Sequence, residues 1–554
     1  MRKPHLPQRS VLRAIRLRWQ LTLLTAAGVG IVTGLAVAAF DWITADVILA
    51  HVARLPHAVQ ALLPMAGLLV AAIAIRWVAR ETDPSTSDEY IKYFHEPGLR
   101  LPLAPVAGRI IAGIATLGTG GAMGFEGPSI YMGAAIGSFA QRHLKLEITK
   151  DQIKTLLVAG AAAGVAAIFK APATGALFAI EVPYEEDLVA TSVVPAIIAA
   201  ATSYVTFVAI KGTTPLFPTS GNPLFNTSDL LGAAAVGIAC GLGSRLFAWV
   251  IGIAKRTRAR LTRRWAWLFG GTGLALLAFG TTNIFGTPLA LGPGYGTISW
   301  LADPSRALGL VALLFGVRLL ATAFTVAGGG AGGLFIPLVV QGALLGRLVE
   351  GITRVTSPLF PLVGAAAFLG AGYSTPITGV VFVAESTGRP GFVVPGLIAT
   401  AIAQLLRGDA SVSKYQQRRR GGHVERRLRL KVRDSMSQEP VIADPKTSVE
   451  ELLHHDFLLA RARSLPVVRD GRYLGLVRLA DVEEVPRDER TTTLVEQILV
   501  AEIPAADPEW SLREAAAVMD EWHVERLAVC EGDVFAGVVA MDDILRLRDV
   551  LDAE

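Results

Sequence analysis

Glu126 is the residue of this chain best placed to do chemistry. It stands in Gly124-Phe125-Glu126-Gly127-Pro128, inside an apolar stretch, with glycines before it and Gly133, Ala134 and Gly137 after it. Far downstream, Gly333-Leu334-Phe335-Ile336-Pro337 leads to Gly342, Ala343 and Gly346, at the same offsets from its proline. Glycine permits positive φ and close backbone approach, while proline suits the first turn of a helix. Each loop therefore predicts a helix N-terminus, whose unpaired N–H groups and partial positive charge make an anion site. A carboxylate at the centre of a membrane helix costs about 3 kcal/mol on insertion scales. A helix N-terminus returns about 1 kcal/mol or less. The deficit predicts a Glu126 that is protonated part of the time and competes with the anion beside it. That is a gate.

The elements that must position these loops are themselves duplicated. Pro172, Thr174, Gly175, Phe178 and Glu181 recur at the same spacing as Pro376, Thr378, Gly379, Phe382 and Glu385. Duplicated membrane units that bring helix N-termini to the midplane are a common build for transporters. The composition fits, with 52% hydrophobic and 18% charged residues among 554. About half of the charged residues lie beyond residue 415, which separates a membrane domain from a soluble tail. Leu21–Phe40 is free of charge and reaches the roughly 20 residues a span needs. Further charge-free stretches cover 58–75, 266–302 and 391–406. Basic clusters before the first span and at Arg418–Arg433 place both termini in the cytoplasm, with the cell membrane as the expected location. Those juxtamembrane bases account for the net charge of +5 without a nucleic-acid partner. Cys240 and Cys530 form no pairing pattern, and the scattered histidines suggest no metal site. No hydrolytic or redox constellation is visible, so an enzyme is not expected.

At these residues the chain resembles the CLC family of chloride channels and chloride/proton antiporters. GFEGP resembles that family's gating motif G-[KR]-E-G-P, with Phe125 at the usually basic position, and GLFIP resembles its G-x-F-x-P motif. Ser413-Lys414-Tyr415 fits the Ser-x-Tyr pattern of the family's central tyrosine. The resemblance implies an inverted-repeat, multi-span α-helical membrane fold and a homodimer with one pore per subunit. It implies a central anion, chloride or similar, held by the N–H groups of Leu334 and Phe335 and the Tyr415 hydroxyl, with Phe335 and Tyr415 bracketing the inner mouth. It also implies an outer site at Gly124, Phe125, Glu126 and Gly127, filled alternately by anion or carboxylate. Two places depart from the pattern. The family's first anion loop, G-S-G-I-P, is matched by Pro84-Ser85-Thr86-Ser87-Asp88, which aligns Ser85 with the anion-binding serine but lacks the flanking glycine and proline. In Ile180-Glu181-Val182, Val182 replaces the second glutamate through which antiporters pass protons. Glu185, Glu186 and Asp187 close behind read first as an acidic loop at a helix end, with Glu185 the one nearby candidate replacement, set apart by Pro183.

The tail changes to short helices and β-rich strands. Ser464–Val468 runs through Asp470-Gly471, a hairpin turn, to Leu474–Val477, and Arg526–Val529 runs through Glu531-Gly532-Asp533 to Gly537–Val539. Each unit follows a helix, Val449–Leu459 or Ser511–Trp522. This second duplication resembles an α/β tandem pair of CBS regulatory domains. By that resemblance Asp481 and Asp543 fill the ribose positions of an adenine-nucleotide site, while Arg478 and Ala540 occupy its usual hydroxyl positions. No other cofactor is expected.

The expected layout is a basic segment at 1–19, a CLC-like membrane domain at 20–417 with halves of about 20–210 and 228–417, a linker at 418–431, and the CBS pair at 432–554, split at about 490/491. The leading expectation is a dimeric, voltage-gated chloride channel, gated by Glu126 and regulated by its tail, because Val182 cannot carry a proton. Two alternatives remain: a chloride/proton antiporter, and a CBS-bearing divalent-cation transporter, which would need several intramembrane carboxylates as hard ligands.

Overall fold

The second half of the membrane unit repeats the first, helix for helix. The computed structural model describes residues 8–80, 82–96, 101, 103–144, 154–214, 216–217, 226–261, 263–353, 359–419, 430–460 and 462–542. The chain divides into two units, Met1–Arg419 and Arg420–Glu554. In the first half, α1 (Gln8–Asp41), α2 (His57–Trp77), α3 (Ser87–His95), α4 (Leu103–Gly118), α5 (Glu126–Leu144), α6 (Thr155–Phe169), α7 (Pro172–Glu181) and α8 (Val193–Lys211) follow in order. They recur as α9 (Thr227–Arg260), α10 (Arg263–Phe285), α11 (Tyr295–Leu301), α12 (Leu308–Ala327), α13 (Phe335–Thr353), α14 (Phe360–Tyr373), α15 (Pro376–Thr387) and α16 (Val393–Arg407). Seven spans among the described residues are long and apolar enough to cross a membrane. Others, such as α6 and α14, are short apolar helices. α1 passes directly into a π-helix, Trp42–Leu49.

Small residues let the repeated helices touch backbone to backbone. A Cβ at Gly133 of α5 would stand 2.0 Å from the Gly160 carbonyl oxygen of α6, and one at Gly342 of α13 would stand 2.1 Å from that of Gly364 in α14. This accounts for the matched glycines after each proline: they set the spacing of the helices that carry the two anion-ready N-termini.

The other duplicated pattern ties the halves together. Glu181, at the end of α7, accepts hydrogen bonds from the N–H groups of Ile377 (3.0 Å) and Thr378 (2.9 Å) and from the Thr378 hydroxyl (2.6 Å) at the start of α15. Glu385, at the end of α15, does the same for Ala173 (2.9 Å), Thr174 (2.8 Å) and the Thr174 hydroxyl (2.7 Å) of α7. Each helix caps the other's N-terminus with a carboxylate, which meets both the orphan N–H groups and the helix dipole. Both acids are therefore structural.

In the tail unit the sheet order is β1-β2-β4-β3, from β1 (Ser464–Arg469), β2 (Arg472–Arg478), β3 (Arg526–Glu531) and β4 (Val534–Ala540). Asp470 (φ 50°) and Gly471 (φ 77°) close the first hairpin with two positive φ values, as a two-residue Asp-Gly turn requires. Helix Leu512–Glu521 begins with a capping box, in which the Ser511 hydroxyl accepts from the Glu514 N–H and the Glu514 carboxylate accepts from the Ser511 N–H at 2.7 Å. The two repeats exchange segments: Val432 packs with Leu512, Leu527 and Val539 of the second core, whereas Val495 packs with Val449 and Leu465 of the first. A division near residue 490 thus separates the sequence repeats but not the cores.

Removing either reciprocal cap leaves helix-terminal N–H donors without their carboxylate acceptor. Glu181→Ala and Glu385→Ala should each destabilise the membrane unit by about 1–3 kcal/mol, seen as a lowered thermal unfolding midpoint in detergent. Folded Glu181→Gln should keep the pH dependence of anion flux. Loss of that dependence would assign Glu181 to transport.

Candidate anion site

Two glycines fix the centre of the site. Gly124 N–H donates to the Gly333 carbonyl and Gly333 N–H to the Gly124 carbonyl, both at 2.8 Å, in an antiparallel bridge between the repeats. The loops before α5 and α13 are thereby locked side by side, and positive φ at Gly120 (100°) and Gly329 (83°) turns each chain into place. The N–H of Gly124 is spent in this bridge. Gly124, expected at an anion site, acts instead as the hinge-pin of the two loops.

Glu126 is fully buried. Its Oε1 accepts the N–H of Phe335 at 2.7 Å, so the carboxylate of one repeat sits on the helix N-terminus of the other. That is a charge-assisted hydrogen bond at the position an anion would take. Oε2 has no hydrogen-bond partner. The room for the carboxylate comes from glycine: a Cβ at Gly333 would lie 2.0 Å from Oε1, and one at Gly124 1.9 Å from Oε2. The Phe335 ring is held among Phe169 (4.6 Å between centroids), Phe382 (4.8 Å) and Phe178 (5.3 Å), which excludes water from this end. Phe125 is also buried and meets Phe40 edge-on at 6.3 Å. Gly127 passes so close to Thr86 and Gly332 that a Cβ would stand 2.3 Å from the threonine hydroxyl.

A cavity of about 190 Å³ continues from this centre, lined among others by Ser85, Ser87, Asp88, Lys255, Leu334, Tyr373, Lys414 and Tyr415. The hydroxyl that meets the helix end is not the expected one. Leu334 N–H points to the Tyr373 hydroxyl at 3.4 Å, and Tyr373 is fully buried at the C-terminal end of α14. Tyr415 lines the same cavity farther along, its ring faced by the ammonium groups of Lys92 (5.8 Å) and Lys414 (5.4 Å). Tyr373 precedes Ser374-Thr375-Pro376 in sequence. A polar aromatic ending an otherwise apolar repeated helix was the signal that could have revealed it.

The departing loop is ordered by charge rather than by glycine and proline. Ser85 donates its N–H to Asp83 Oδ1 at 2.8 Å, and Thr86 donates its hydroxyl to the Gly332 carbonyl at 3.1 Å. Ser87, which opens α3, is buried, lines the cavity and has its hydroxyl beside that of Tyr373. Ser85 and Ser87 both line the cavity, but the buried hydroxyl is that of Ser87. Arg109 orients this region: it bridges Glu89 of α3 at 3.0 Å, the Asp83 carbonyl at 2.8 Å and the Tyr131 hydroxyl at 2.5 Å.

Val182 is buried at the end of α7, and its carbonyl accepts from Gln416, which also donates to the Tyr373 carbonyl. Glu185 lies 3.7 Å from Arg407 in an ion pair. In the tail, Asp481 is engaged by the Arg478 guanidinium (2.6 Å) and the Arg478 N–H (2.8 Å). Asp543 lies outside the described residues.

The paired helix ends, the carboxylate on one of them and the duplicated scaffold describe an anion-transporting membrane protein. The family model for voltage-gated chloride channels matches residues 66–408, and the CBS domain model matches 432–487 and 495–549. The chain belongs to the voltage-gated chloride channel (CLC) family and carries a CBS pair; the divalent-cation reading falls with that membership. The chain is 31% identical over 419 residues to the H(+)/Cl(-) exchange transporter ClcA of Cronobacter sakazakii, covering 70% of this chain and 87% of that one. It is 29% identical over 420 residues to the protein of the same name from Citrobacter koseri, covering 70% and 86%. Among solved structures it resembles a slow cyanobacterial Cl−/H+ antiporter (TM-score 0.62, 20% identity, 70% of this chain and 94% of that one). It also resembles a eukaryotic CLC transporter (TM-score 0.59, 17% identity, 95% and 98%).

The two tyrosines make separable contributions. Tyr373→Phe removes the hydroxyl at the Leu334 helix end and should weaken chloride affinity several-fold, whereas Tyr415→Phe should have the smaller effect. Isothermal titration of chloride into both variants checks this ordering; a reversed ordering would return the central role to Tyr415.

Proposed function

We propose that the protein exchanges chloride for protons across the membrane, with Glu126 as the group that meets both ions. The observation that carries this reading is the 2.7 Å hydrogen bond from Phe335 N–H to the Glu126 carboxylate. An ionised Glu126 fills the place of the anion; chloride can take that place when the side chain leaves and is neutralised by a proton. One site then alternates between two ions, which is the basis of exchange. The named exchangers among the relatives support this reading over the passive channel expected from Val182.

The channel reading keeps one argument, since Val182 can neither bind a proton nor order water. That removes one carrier rather than every carrier. His95 Nε2 lies 2.7 Å from the carbonyl of Pro183, the next residue, and its ring packs edge-on against Tyr184. A ring nitrogen facing a carbonyl carries the hydrogen, which leaves Nδ1 as a proton acceptor. The dimer is the family's assembly and the CBS pair is the regulatory part of this proposal, with an adenine nucleotide as its ligand.

In liposomes, a chloride gradient should drive protons uphill, and Glu126→Gln should abolish proton movement while leaving chloride flux that no longer responds to pH. Chloride flux in the parent protein with no uphill proton movement would establish the passive channel instead.

A further inference from the structure

We propose that Lys255 is an inner binding point for the transported anion and that Asp88 is its tethered stand-in, so that the two form a latch which the anion itself opens. This rests on the chain being an anion transporter, whether coupled or passive.

The latch sits where the first anion loop departs from glycine and proline. Asp88 lies in the first turn of α3, beside Ser87, and its Oδ2 is 2.6 Å from Lys255 Nζ of α9. Lys255 also donates to the Val412 carbonyl at 2.9 Å, and Asp88 Oδ1 accepts the Lys414 N–H at 3.3 Å. One ion pair therefore joins three segments around the cavity that leads to Leu334 and Tyr373. An ammonium has three donors. Two are used here, and Lys255 lines the cavity with a third of its side chain exposed.

Neighbouring charges leave this pair as the responsive one. Glu89 is held by Arg109 at 3.0 Å, and Asp83 lies 3.3 Å from Arg258. The Lys414 and Lys92 ammonium groups face the Tyr415 ring. Next to Asp88, the Ser87 hydroxyl is buried, lines the cavity and lies beside the Tyr373 hydroxyl, a donor that an anion replacing the carboxylate can draw on. A small monovalent anion on Lys255 would gain that hydroxyl and the N-terminal dipole of α3. The arrangement repeats the logic of Glu126 on Phe335: a carboxylate occupies a cationic or dipolar site until an anion displaces it.

The test measures chloride flux in liposomes against chloride concentration for the full chain, with folding checked by gel filtration. Asp88→Asn should lower the half-saturating chloride several-fold with a smaller change in maximal flux. Lys255→Gln should raise it several-fold, and Lys255→Arg should recover most of that loss. Half-saturation unchanged in both Asp88→Asn and Lys255→Gln, or moved in the same direction by both, would overturn the latch and leave the pair a structural tie. If Asp88→Asn fails to fold, equal half-saturation in Lys255→Gln and Lys255→Arg is sufficient to overturn it. A parent protein that moves no chloride would overturn the transport reading itself, a result distinct from these.

Discussion

Everything in the membrane unit is referred to one exchange of hydrogen bonds, between the backbones of Gly124 and Gly333. Two N–H···O bonds at the pseudo-symmetry centre hold two loops so close that only glycine fits. They place the start of α13 within reach of a side chain from the start of α5. Had either residue a Cβ, the Glu126 carboxylate would collide with it. The duplication supplies two helix ends, the glycine bridge aligns them, and the mismatch between Glu126 in one repeat and Phe335 at the same place in the other makes the pair functionally unequal. Both halves offer a dipole, but only one carries an acid.

The reciprocal caps at Glu181 and Glu385 apply the same principle to stability rather than transport. There a carboxylate also sits on the helix N-terminus of the opposite repeat, but both oxygens are satisfied, and a threonine hydroxyl completes each set. Glu126 differs in having one oxygen satisfied and the other without a partner. An acid with all its acceptors filled is held; one with an idle oxygen in a water-poor site is poised to leave. The distinction between a structural and a gating carboxylate here is thus a matter of hydrogen-bond accounting.

Much of this was legible in the sequence, because a spacing repeated in two halves records a geometry repeated in two halves. The helix starts at Glu126 and Phe335 and the hairpin turns of the tail followed from glycine, proline and apolar periodicity, and the CLC-like fold followed from the resemblance that the repeated motifs carry. What escaped was long-range. Tyr373 meets Leu334 across 39 positions, Asp88 meets Lys255 across 167, and Glu181 meets Thr378 across 197. Nothing in a local pattern announces which polar group at a helix end will face which cavity. The Ser-x-Tyr likeness drew attention to Tyr415, whereas the hydroxyl at the helix end came from an apolar helix with no motif around it. Val182 is local in the same sense, since one residue can remove a proton carrier without removing a path.

The central claim is that chloride and the Glu126 carboxylate compete for the Phe335 N–H, with a proton taking up the displaced charge. Proton uptake on chloride binding tests it directly, because an anion on the Phe335 N–H disfavours a second negative charge beside it, and linkage then requires the displaced Glu126 carboxyl to bind a proton more readily. Adding chloride to the purified protein in weakly buffered detergent solution near neutral pH should make the solution more alkaline, by an amount that saturates with chloride binding and vanishes in Glu126→Gln. Saturable chloride binding with no proton uptake in the parent protein would contradict the account.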